Sequence, residues 1–73
     1  PALEEVLGGL PVLESASGLI VAVGPGIAGP EELNVRLREA GFVPPWKLDA
    51  TLDAIVPLLG NGKVDYETLR ALV

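Results

Sequence analysis

The stretch Leu19-Ile-Val-Ala-Val-Gly-Pro-Gly-Ile-Ala-Gly29 decides the fold of this chain. Its first five residues are the longest apolar run, and periodicity leaves them open. With Leu13 and Ala16, the residues Leu19, Ile20 and Val23 fall at helical spacing. Ser15, Ser17 and Gly18 weaken a helix, and taken alone the run equally suits a short buried strand. Gly24 to Gly29 is a loop by composition.

Downstream, Pro30 suits a first helical position, and Glu31 and Glu32 suit the first turn. Leu33 and Leu37 sit four apart, and Gly41 closes the helix as a C′ glycine. Phe42-Val-Pro-Pro45 reads as a linker. Trp46 to Val56 is expected to be a second helix, with Leu48, Leu52, Ile55 and Val56 on one face and Pro57 at its end. Gly60-Asn-Gly62 is a turn, and Lys63 and Val64 are extended. Asp65 is a good N-cap for a last helix to Val73. Upstream, Pro1 to Leu10 reads as a short helix with Glu4 and Glu5 near its start and Gly8-Gly9 at its end.

Composition bounds the function. The chain has 73 residues, enough for one domain, read here as 1–73 and as excised from a larger protein. Its stability should be roughly 4–11 kcal/mol. It has no cysteine and no histidine, which excludes disulfides, thiolate metal sites and histidine-based catalysis. Five Lys and Arg against ten Asp and Glu give a net charge of −5, a poor balance for binding nucleic acid. No apolar run approaches the ~18 residues of a membrane span. Hydrophobic residues make up 49% of the chain. With a mean hydropathy of +0.47, that implies apolar surface left over for a partner. The expected compartment is intracellular and cytoplasmic.

A shift of 36 residues aligns the chain with itself. Gly24-Pro-Gly26 falls on Gly60-Asn-Gly62, Ala28 on Val64, Glu31-Glu32-Leu33 on Glu67-Thr68-Leu69, and Leu19-Ile20 on Ile55-Val56. Two helix–loop–helix units follow, over 11–41 and 46–73. Gly60-Asn-Gly-Lys-Val-Asp-Tyr-Glu-Thr-Leu69 resembles the second half of an EF-hand loop and the start of its exiting helix. With Gly62 at loop position 6, Val64 takes position 8, Asp65 position 9 and Thr68 position 12. The same setting makes Gly26 position 6 of the first loop and Glu32 position 12.

The resemblance implies an all-α fold: a four-helix, calmodulin-like lobe of two helix–loop–helix units, with a short two-stranded β-bridge between Ala28 and Val64. The chain thus resembles a degenerate EF-hand pair without calcium ligands. Positions 1 and 3 are Pro57 and Leu59 in the second loop and Val21 and Val23 in the first, and Thr68 stands where the bidentate Glu belongs. No metal, cofactor or catalytic residue is therefore assigned, and no enzyme is expected. In such a lobe Leu33, Leu37, Phe42, Trp46, Leu52, Ile55, Leu69 and Leu72 would line an apolar groove. The partner implied is an amphipathic helix of another protein or of a neighbouring domain. The resulting function is that of a calcium-independent, acidic adaptor. A permanently docked structural lobe and a weak calcium sensor are the alternatives.

Two rival signals are set aside. Gly24, Gly26 and Gly29 match strand–GxGxxG, a dinucleotide fingerprint. That motif needs a return strand after the helix, and the sequence leads instead to an expected second helix. Asp49 and Asp53, four apart, read as the solvated face of that helix rather than an acid–base pair.

Overall fold

Leu19–Gly29 folds as strand and loop, and that outcome reorganises the whole chain. The computed structural model describes residues 2–73. Along the chain run α1 (Leu3–Val6), β1 (Val12–Glu14), β2 (Ile20–Gly24), α2 (Pro30–Glu39), β3 (Ala50–Asp53) and α3 (Tyr66–Arg70). The strands form one sheet in the order β1-β2-β3. β1 pairs antiparallel with β2, Leu13 opposite Val21. β3 pairs parallel with β2, Val21 opposite Ala50 and Gly24 opposite Asp53.

The all-α expectation is therefore wrong, and so are the four-helix EF-hand-like lobe and its helix–loop–helix units. Residues 11–23 form a hairpin, because Ser15–Gly18 is a turn in which Gly18 adopts φ +85°. Trp46–Val56 contains no helix; its centre is β3. The expected bridge between Ala28 and Val64 is absent. Val64 pairs with Leu58 instead, and Ala28 packs beside α2. The 36-residue self-similarity survives only where a glycine turn leads into a helix, at α2 and at α3. Upstream of those turns, Leu19-Ile20 enters the central strand, whereas Ile55-Val56 is irregular. Of the N-terminal helix expected over 1–10, Leu3–Val6 is helical, and Pro1 lies outside the described residues.

A period of two along β2 builds two cores from one strand. Ala22 faces Leu7, Leu33, Leu37 and Leu48, so α1 and α2 cover that side. Val21 and Val23 face the other side with Leu13 and Leu69, under α3. Central position explains why β2 reads as an unbroken apolar run. Both its faces are covered, so no polar alternation survives.

Polar ties set the outer elements. Asn34 on α2 holds the approach to β3 with both ends of its amide: its Nδ2 donates to Leu48 O at 2.9 Å, and its Oδ1 accepts from Leu48 N–H at 2.8 Å. Asp65 caps α3, accepting from the Thr68 N–H at 3.1 Å and the Thr68 hydroxyl at 2.7 Å. Those bonds hold its carboxyl below the usual carboxylate range.

A third tie joins α1, β1 and α3. Odd residues of β1 bond to β2, since Pro11 O accepts from Val23 N–H and Ser15 N–H donates to Leu19 O. Val12 N–H thus points outward, where it donates to Glu4 Oε2 at 2.9 Å. The Tyr66 hydroxyl donates to the same oxygen at 2.9 Å. Burial, the bond to Glu4 and the Glu4 charge all push the Tyr66 phenol above its ordinary 10.0. A raised folded-state pKa means that this tie stabilises fully below pH 10 and is lost as pH climbs through the folded value. Absorbance titration of Tyr66 is accordingly expected to give a midpoint above 10, moved back toward 10 by Glu4→Gln. An unchanged midpoint in that variant would refute the tie.

Candidate functional site

A hollow of about 220 Å³ lies on the α3 side of the sheet, lined chiefly by apolar surface. Its floor is sheet: Val21 of β2 with Ala50 and Leu52 of β3. Its walls are the β1–β2 turn, through Ser15, Ser17 and Leu19, and the chain end, through Leu72 and Val73. It exists because α3 is only five residues long and covers the sheet at Leu69 alone. The hydroxyls at the rim are already engaged: Ser15 Oγ lies 3.0 Å from Ser17 Oγ and accepts from Leu19 N–H. Leu19 and Leu72 remain exposed beside it. Such a surface offers apolar contact rather than chemistry.

The structure does not gather the eight groove residues expected from the sequence. Leu33 and Leu37 are core on the α2 side, with Phe42 packed against them. Leu69 is core on the opposite side, with Leu52 beside it. The sheet stands between the two groups. Trp46 is exposed and stacks at a tilt on Phe42, with ring centroids 6.1 Å apart. Ile55 is 84% exposed. Only Leu52 and Leu72 of the eight line the hollow. Ser15, Ser17, Leu19, Val21, Ala50, Thr51 and Val73 were missed. The signal available for them was the hairpin itself, through Ser-Gly at 17–18.

The glycine loop after β2 has the context that the sequence reading denied it: β3 is a parallel return strand after α2. Gly24 lies against Leu10, whose Cδ2 would stand 2.5 Å from an added Cβ, and Gly26 has φ +62°. The loop's anion position is nevertheless filled from within. Gly26 N–H donates to Asp53 Oδ1 at 3.0 Å, and Glu31 and Glu32 occupy the first turn of α2. A phosphate there would meet carboxylates and no lysine or arginine of that turn. Asp49 and Asp53 are no helix face. They flank and end β3, and Asp49 Oδ2 accepts from Ile20 N–H at 2.9 Å.

Among the described residues no three His, Cys, Asp or Glu side chains cluster as metal ligands would. No helix among them is long and apolar enough to cross a membrane. What the fold and the hollow define is an acidic α/β domain built on a three-stranded mixed sheet. Comparison with protein-family models, curated proteins and solved structures finds no match.

Proposed function

We propose that this domain is a protein-interaction module, an intracellular adaptor whose binding surface is the apolar hollow between the β1–β2 turn, β3 and the chain end. The observation that carries the reading is the half-covered sheet floor there, Ala50 and Leu52 beside the buried Val21, with Leu19 and Leu72 exposed at its lip. Covering apolar surface yields about 25 cal/mol per Å², so a partner gains where water now sits. Calcium plays no part in this reading.

The 73-residue chain should enhance the fluorescence of a hydrophobic dye, and Leu72→Glu should abolish most of that signal while leaving the circular dichroism spectrum intact. Absence of enhancement in the wild type, or no loss in the variant, would overturn the reading.

A second reading, a lobe docked permanently on a neighbour, is favoured by one separate observation. Ile55, Leu58 and Leu59 are exposed in close succession after β3. Concentration-dependent self-association in sedimentation, unaffected by Leu72→Glu, would support it over the first.

A further inference from the structure

We propose that the free edge of β3 takes up an extended, cationic segment of a partner protein as a fourth strand, a proposal that rests on the interaction reading above. Even-numbered residues of β2 face β3, because the odd ones bond to β1. Ala54 N–H correspondingly donates to Gly24 O. With the register Ala22 opposite Thr51 and Gly24 opposite Asp53, the main-chain groups of Thr51 and Asp53 therefore point away from the sheet. No other described residue supplies them a hydrogen bond. An unpaired row of this kind is a template for an added strand.

The two faces of β3 say what that strand should carry. Ala50 and Leu52 project on the α3 side and floor the hollow. Side chains alternate in an added strand, so every second one would lie over the hollow, where an apolar group fits. The intervening ones would lie beside Asp49, Thr51 and Asp53. Both aspartates are exposed, β3 itself carries no basic residue, and Lys47 is the nearest cation along the chain. Gly26, bonded to Asp53, also brings the acidic start of α2 toward this end. Apolar residues alternating with lysine or arginine satisfy both faces.

The same charges argue against a second copy as the occupant. In an antiparallel pair of β3 edges centred on Thr51, residue 49 of one chain stands opposite residue 53 of the other. Each such pair sets carboxylate against carboxylate, and like charges directly opposite destabilise a ladder. The overall charge of −5 adds repulsion.

The test uses an eight-residue peptide of alternating valine and lysine, its valine–glutamate counterpart, and amide NMR of the 73-residue chain. The lysine peptide should shift the Thr51 and Asp53 amides and give cross-strand contacts to β3. It should bind about tenfold more tightly than the glutamate peptide. Thr51→Pro removes an outward N–H at an edge position where proline is tolerated, and should abolish binding. Asp49→Asn with Asp53→Asn keeps both oxygen acceptors and should erase the lysine preference, which keeps the test decisive even if the proline variant does not fold. Binding of the lysine peptide undiminished in Thr51→Pro but lost in Leu72→Glu would overturn strand addition while leaving the hollow as the binding surface. Equal binding of the two peptides would overturn the cationic partner. No peptide binding at millimolar concentration, with the dye still bound, would overturn this proposal alone.

Discussion

Leu69→Ala is expected to lower unfolding stability by about 2–5 kcal/mol, the largest effect of any single truncation on the α3 side. Leu69 is fully buried, and it is the only buried residue of α3. A five-residue helix cannot hold itself in water, since helix nucleation is unfavourable and stable isolated helices need ~12–15 residues. Beyond the Asp65 cap and the Tyr66 bond to Glu4, its order is supplied chiefly by one side chain packed with Leu13, Val21 and Val23. Removing that side chain deletes the transfer energy of three carbons and leaves a void which the short helix, pinned at Asp65, cannot close by sliding. For a domain of this size 1 kcal/mol moves the melting temperature by roughly 4–8 °C, so a fall of about 8–40 °C follows. Denaturant melts should show the midpoint reduced with the slope preserved. A loss below about 1 kcal/mol would show that α3 is not held by Leu69. The hollow beside it would then be no fixed feature.

Asn34→Ala should cost about 2–3 kcal/mol, out of proportion to a side chain that is only part-buried. The substitution removes two hydrogen bonds and strands both the N–H and the C=O of Leu48, a residue that is 2% exposed. The asymmetry of hydrogen bonding governs here. A made bond is worth about 1 kcal/mol, but an unsatisfied buried group costs about 1–3 kcal/mol. Asn34→Asp separates the two bonds. Its carboxylate still accepts from Leu48 N–H but repels Leu48 O. The acid form restores a donor, so the folded-state pKa of the new carboxyl is raised. Its stability should consequently be greatest below the unfolded pKa near 4 and fall as pH rises through the folded value. Chemical denaturation of the three proteins at pH 3.5 and pH 7 measures both effects. Equal stability of Asn34→Asp and wild type at pH 7 would rule out the donor half of the clamp.

The parts of this fold that were legible are those with punctuation. Pro30, Glu31, Glu32 and Gly41 bracket α2, and Asp65 announces α3; each acts through its own backbone chemistry, independent of tertiary context. Residues 46–56 were misread because a spacing of four is shared by helix and strand. Asp49 and Asp53 lie on one face in either structure, and so would any pair of leucines four apart. Leu48 and Leu52 end up in different cores, because Leu48 lies before β3 begins at Ala50 and so falls outside its alternation. By spacing alone Ser15–Gly18 reads as a weakened helix, although a glycine at φ +85° is what this hairpin turn uses. The helix expected over 46–56 also hides the return strand that the glycine loop's fingerprint requires. The hollow was beyond reach of periodicity. It depends on how little of the sheet a five-residue helix covers.

The carboxylate of Glu4 also makes the two edges of the sheet unequal. By occupying the outward N–H of Val12 and being held there by Tyr66, it removes one donor from the β1 edge. A molecule with two open sides can link neighbours on left and right and so propagate into a fibre. With that donor taken, a guest strand on the β1 side would forgo a main-chain bond that the β3 side still offers.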